Sequence, residues 1–280
     1  MREMELELDE APLVRQSVEA GVMTLTLDGA ANGNALTVAM TEALSDVLES
    51  VNRRDDVHCL LLRSSSKHFC TGGNVKDMQS GKDLMDGGIE HVRERLRTSL
   101  HRITRALNEL EVPSICAVNG AAVGAGCDLA LMCDIRLAGT QAVFAESFLR
   151  LGLVSGIGGA WFLSRIVGPA KALEMTLTSE FVDAEAAKRL GIVTSVHPDD
   201  ALDREALALA QRIAGSPPLA LRMAKKLVRE SSHCTLSAAL EMAANMQAIL
   251  LCGSEHKQAV SGFLEEQARQ KSLRTECGAA

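Results

Sequence analysis

Ser114-Ile-Cys-Ala-Val-Asn-Gly-Ala-Ala-Val-Gly-Ala-Gly-Cys-Asp-Leu-Ala-Leu-Met-Cys133 is the stretch on which the fold turns. Ser114 to Val118 is a short apolar run of the kind that forms a buried strand. Asn119 to Gly126 is a loop of small residues, and Cys127 to Cys133 reads as helix. A strand, a glycine loop and a helix in direct succession form the unit of an α/β fold.

Similar units lie on both sides of it. Upstream, Val22 to Leu27 alternates as a strand does, Ala35 to Val51 has helical periodicity, and His58 to Arg63 is a second strand. That strand runs into a loop holding Gly72 and Gly73, and a long helix is predicted over Glu90 to Leu110, closed by Pro113. Downstream, Asp134 to Ala138 and Ala142 to Ala145 read as short strands, and Gly152 to Gly159 is another glycine-rich turn before an apolar helix. Strand and helix thus alternate from the start, which predicts a largely parallel, helix-covered sheet. From about Asp200 the pattern is helical, broken at Pro217-Pro218 and Cys252-Gly253. We therefore expect an α/β core over residues 1–200 and a helical C-terminal region over 201–280.

Composition narrows the function. With no Tyr and one Trp among 280 residues, the core must be aliphatic and base-stacking surfaces are scarce. A formal charge of −7 opposes a nucleic-acid partner, which needs clustered cations. The arginines at 93, 95, 97, 102 and 105 share a segment with Leu96, Leu100, Ile103 and Leu107 at helical spacing, as on a solvated helix face. No run of about 18 apolar residues could cross a membrane, and the opening MREMELELDE is acidic, unlike a signal peptide, so a cytoplasmic protein is expected. The eight cysteines show neither a C-x-x-C pair nor zinc-like spacing. They read as reduced, mostly buried thiols, and no metal or redox cofactor is expected.

Phosphate-loop, nucleophile-elbow and H-E-x-x-H motifs are absent, and Gly124-Ala-Gly126 lacks the third glycine of a dinucleotide loop. Ser64-Ser-Ser-Lys67 fits S-x-x-K without its companion motifs. Two glycine loops remain, Lys67 to Asn74 and Gly120 to Asp128. Small residues let backbone approach a ligand closely, and N–H groups at a helix start point outward with the positive end of the dipole. Such loops suit a developing oxyanion, although glycine content alone is equally satisfied by two tight connections.

In order and spacing, four segments resemble the enoyl-CoA hydratase/isomerase (crotonase) family: Asn34-Ala-Leu36; His68-Phe-Cys-Thr-Gly-Gly73 with Lys76-Asp-Met78; Ala117 to Asp128 with Cys133-Asp-Ile135; and Gly152 to Gly159 with Arg165-Ile-Val-Gly168. The similarity runs from about Val22 to near Phe263. It implies a crotonase-like spiral core, an acyl-CoA substrate with coenzyme A as part of the substrate, and a homotrimer or homohexamer. It places the thioester oxygen against the N–H groups of Gly73 and Ala125. Coenzyme A contacts are implied at Ala35, Leu36, Lys67, Gly72 and the carbonyl of Thr71.

The chain departs from a hydratase of this family at the acids. Those enzymes hold water between two glutamates, at the positions of Asp128 and Phe148. Asp is one methylene shorter, about 1.5 Å, and misplacement by about 1 Å can cost on the order of a hundredfold. Dienoyl-CoA isomerases of the family carry Asp at the first position, but also acids where this chain has Phe148 and Gly156. Glu146, which shares a face with residue 148 in an extended segment, is a candidate replacement; its alternative is a solvated turn residue. Asp128 alone suits proton transfer, although an acid in a helix's first turn is favoured by the dipole whatever its function. Phe148 should dry the acyl pocket and raise the pKa of a neighbouring carboxyl. These residues favour isomerisation over hydration, with a catalytically silent acyl-CoA binder as the alternative from another class. RNA binding, known for a few family members, is disfavoured by charge and aromatic content.

Overall fold

A computed structural model describes residues 12–277 except 83 and 85, with backbone only from residue 270. The MREMELELDE stretch and the Cys277 thiol lie outside the described residues. The chain opens with a hairpin, β1 (Val14–Glu19) and β2 (Val22–Leu27), paired antiparallel. Its two-residue turn, Ala20 and Gly21, has φ of 48° and 77°, the left-handed pair that matches strand twist. The expected alternation of strand and helix from the start is therefore wrong by one strand. In β1 only Val14 is buried and Val18 partly so, which leaves an edge strand without a hydrophobic pattern to read.

Beyond the hairpin, α1 (Val38–Val51), β3 (Cys59–Ser64), α2 (Val75–Ser80), α3 (Ile89–Arg95), α4 (His101–Asn108) and β4 (Ser114–Val118) follow in order. The helix predicted from Ala35 starts at Val38, where Thr37 caps it by accepting from the Met40 N–H at 3.2 Å. The long helix predicted over Glu90 to Leu110 is α3 and α4 joined by a wide π turn at Leu96–Leu100. Next come β5 (Ala121–Val123), α5 (Ala125–Met132), β6 (Ile135–Gly139), β7 (Val143–Ala145), α6 (Gly159–Val167), α7 (Pro169–Thr178), β8 (Val182–Asp183), α8 (Ala184–Arg189) and β9 (Ser195–His197). Four helices complete the chain: α9 (Leu202–Ala214), α10 (Pro218–Ser231), α11 (Leu236–Cys252) and α12 (Ser254–Cys277).

The main sheet has the order β1-β2-β3-β4-β6-β9 and is parallel from β2 onward. Successive side chains on its strands point to opposite faces. Leu60, Leu62, Cys116 and Val118 join α1, α4 and α5 in the larger core. Cys59, Leu61, Ile115 and Ala117 face the Leu202, Ala206, Ala210 and Ala214 stripe of α9. Burial on both faces explains why these strands read as continuous apolar runs. A second small sheet, β5-β7-β8, escapes sequence reading because its strands are two or three residues long.

Helices α10 and α11 contain no buried residue, while Leu236, Leu240 and Ile249 are exposed. No single helix among the described residues is long and apolar enough to cross a membrane; α11 and α12 reach that test only as a pair bent by 70°. Five of the described cysteines are buried, whereas Cys234 and Cys252 are exposed.

Candidate active site

The two glycine loops meet backbone to backbone. Cys70 bridges to Ala122: its N–H donates to the Ala121 carbonyl at 3.0 Å, and its carbonyl accepts from Val123 at 3.1 Å. The approach excludes side chains, since a Cβ on Gly126 would lie 2.0 Å from the Cys70 carbonyl oxygen. On Gly72, at φ +85°, a Cβ would lie 2.6 Å from the Val123 oxygen and 3.2 Å from the Ala125 nitrogen. Leu36 completes the junction by donating to the Gly72 carbonyl at 2.8 Å.

Gly124 has φ 55° and ψ −124°, a conformation open to glycine alone, and it turns the chain into α5 at Ala125. Ala125 is therefore the first residue of a helix, whose N–H has no intrahelical acceptor. Among the described residues neither its N–H nor that of Gly73 meets a hydrogen-bond acceptor. Both residues line a cavity of about 390 Å³. Its other walls are mostly apolar, with Leu36, Met78, Val92, Leu96, Leu100, Phe148, Ile157 and Phe181 among them, and Thr71, Ser147 and Arg150 as the polar lining residues. Two unpartnered donors at the edge of a mostly apolar cavity form a place for a polarised carbonyl oxygen.

Asp128 sits in the first turn of α5, completely buried. Its Oδ2 accepts from the Ser155 hydroxyl at 2.7 Å. Glu146, just after β7, is also buried, at 2% exposure, so it is not a solvated turn residue. The two carboxyls are within hydrogen-bonding reach of each other, while Asp128 Oδ1 and Glu146 Oε1 meet no donor among the described residues. One proton between them resolves both. Burial pushes both acids up, Asp128 to about 6 and Glu146 to about 9. The Ser155 and Glu146 hydrogen bonds restrain Asp128, whereas the charge of Asp128 adds to the rise of Glu146. At neutral pH the pair is thus an ionised Asp128 accepting from a protonated Glu146.

Neither acid lines the cavity. Ser147 and Phe148, which follow Glu146, Ala125, three residues before Asp128, and Gly156 and Ile157, which follow the Asp128 partner Ser155, do line it, so the pair adjoins this wall through the chain. Leu36, Thr71, Gly72 and Phe148 are on the wall as the sequence suggested. Ala35 is buried beside it, its N–H held by Asn32 Oδ1 at 3.2 Å. Lys67 is exposed and lies outside the cavity lining; its carbonyl packs against Gly120, where a Cβ would come within 2.2 Å. Ser155, Leu96 and Leu100 were not marked by sequence: the first acts across a tertiary contact, and the leucines look like ordinary helix apolar positions. Among the described residues no three His, Cys, Asp or Glu side chains converge on a possible metal.

A family model described as enoyl-CoA hydratase/isomerase matches residues 17–271. The chain is 33% identical over 253 residues to 1,2-epoxyphenylacetyl-CoA isomerase of Escherichia coli (strain K12), covering 90% of this chain and 95% of that protein. It is 34% identical over 245 residues to 2,3-dehydroadipyl-CoA hydratase of the same organism, covering 88% and 92%. A crystal structure of enoyl-CoA hydratase from Mycobacterium smegmatis superposes with a TM-score of 0.84 at 34% identity, over 91% of this chain and 97% of that one.

Proposed function

Because the chain belongs to the enoyl-CoA hydratase/isomerase family, we propose that it binds an acyl-CoA in this cavity, holds the thioester enolate at Gly73 and Ala125, and moves a proton rather than adding water. The observation that carries the reading is that two residues whose N–H groups have no acceptor among the described residues, Gly73 and Ala125, line one mostly apolar cavity. One such donor is worth about 3 to 4 kcal/mol, on the order of 10² to 10³ in rate. With the carbonyl oxygen at Ala125, the base comes from the same helix. Asp128 is three residues on, on the same helix face and about 5 to 6 Å away between Cβ atoms. Phe148, half-buried and two residues on from Glu146, contributes to the cavity lining. Asp128 accepts the α-proton and becomes neutral, the electron pair left behind becomes the enolate charge at the Gly73 and Ala125 N–H groups, Glu146 keeps its own proton, and Asp128 then returns its proton to another carbon.

Hydration has less support. Water addition needs polar groups that hold the attacking water, yet the wall nearest Ala125 offers Phe148 where a second acid would stand. The two E. coli relatives carry one name of each kind, so the reaction is a matter for experiment. We expect incubation with 2-trans- and 3-enoyl-CoA in D₂O to give deuterium incorporation without a gain of water. Water addition would restore the hydratase reading; tight binding with neither exchange nor hydration would make the chain a silent acyl-CoA binder. The exposed apolar residues of α11 further support a homotrimer or homohexamer, and we expect a cytoplasmic location.

A further inference from the structure

We propose that Ser155 is a positioning residue for the proposed proton transfer, holding Asp128 oriented and ionised through a hydrogen-bond chain anchored on helix α6. The inference rests on the proton-transfer reading above. Ser155 Oγ accepts from the Gly159 N–H at 2.8 Å and lies 2.7 Å from Asp128 Oδ2. A hydroxyl has one proton to donate and two lone pairs. With Gly159 on the acceptor side and a carboxylate ahead, its proton points at Asp128.

The contact is built into the packing. Gly159 begins α6, so the N–H that orients Ser155 belongs to the positive end of a nine-residue helix. A Cβ on Gly159 would lie 1.7 Å from Asp128 Oδ1, so only glycine lets the helix start this close to the acid. Without these donors, complete burial would oppose ionisation. Among the described residues no cation contributes to its ionisation. Glu146 and the Cys127 thiol are the titratable groups facing Asp128. From α4, His101 Nε2 bonds the Gly156 carbonyl at 2.8 Å, and Arg165 in the last turn of α6 stacks over Trp161.

Ser155→Ala removes the donor and leaves the carboxylate with Glu146 and Gly159. A hydrogen bond to a charged group corresponds to roughly one pH unit or more in ionisation. The acid limb of the kcat profile should therefore move up by about one unit, with a roughly fivefold loss near pH 6 that approaches about tenfold at lower pH, and little change in KM. Ser155→Thr, which keeps the hydroxyl, should restore the wild-type limb. A residue that merely caps α6 would change thermal stability and leave the limb in place, and that outcome overturns the proposal.

A second readout separates it from the proton-transfer reading. The infrared carboxylate band that disappears in Asp128→Asn is titrated in the wild type and in Ser155→Ala. If the wild type exchanges no deuterium, the proton-transfer reading fails by itself. An upward shift of that band's titration in Ser155→Ala then still supports the positioning contact, and identical titrations reject it.

Discussion

Ala125→Pro should lower enoyl-CoA turnover by at least about 10² to 10³-fold while the fold persists. Proline at the first position of a helix removes an N–H that makes no intrahelical bond, and its fixed φ suits that position. Ala125 is that first position, preceded by Gly124, whose missing Cβ eases the restriction that proline imposes on its predecessor. The lost donor is one of the two proposed for the thioester oxygen, and the ring carbon that replaces its hydrogen occupies the space where that oxygen would sit. Circular dichroism and thermal melting check the fold, and steady-state kinetics checks the rate. Turnover within a fewfold of wild type would remove Ala125 from the site.

Glu146→Gln should stabilise the protein at alkaline pH and hardly at all in acid. Burial and the Asp128 charge raise the Glu146 pKa from 4.5 to about 9 in the fold. A raised acid binds its proton more tightly folded than unfolded, so stability is greatest below the unfolded value and falls as pH climbs through the window from 4.5 to about 9. At pH 8 the wild type carries most of this penalty, on the order of 2 to 4 kcal/mol. The glutamine amide donates to Asp128 as the protonated acid does, can accept from Cys127, and never ionises. Melting curves should therefore diverge by several degrees at pH 8 and converge near pH 4.5. Parallel curves at every pH would mean that Glu146 does not carry the buried proton.

The features readable in sequence are those whose chemistry is local. Gly72 and Gly126 sit where backbone approaches other backbone, at Val123 and Cys70, and Gly124 holds a positive φ that suits glycine. The central strands are legible because both faces are covered. β1 is not, because it is an exposed edge, nor is the small sheet, whose strands are too short for any period. The acid pair was only half legible. Glu146 stood out by its place near Phe148, but its burial and its contact with Asp128 arise from a tertiary approach of α5 to the residue after β7. Ser155 meets Asp128 across 27 residues of chain, a contact with no periodic trace. Lys67 lies in the loop that sequence marked, exposed and outside the cavity lining, where nothing local to its sequence indicates what it would meet.

The central claim is that Gly73 and Ala125 polarise a thioester carbonyl. Its most direct test is the infrared spectrum of an unreactive acyl-CoA bearing a ¹³C-labelled thioester carbonyl, bound to the wild type and to Ala125→Pro. Two hydrogen bonds weaken the C=O bond, so the labelled band should move to lower frequency on binding to the wild type, with less or no movement in the variant. A band that keeps its solution frequency when bound to the wild type, or moves equally in both proteins, would contradict the account.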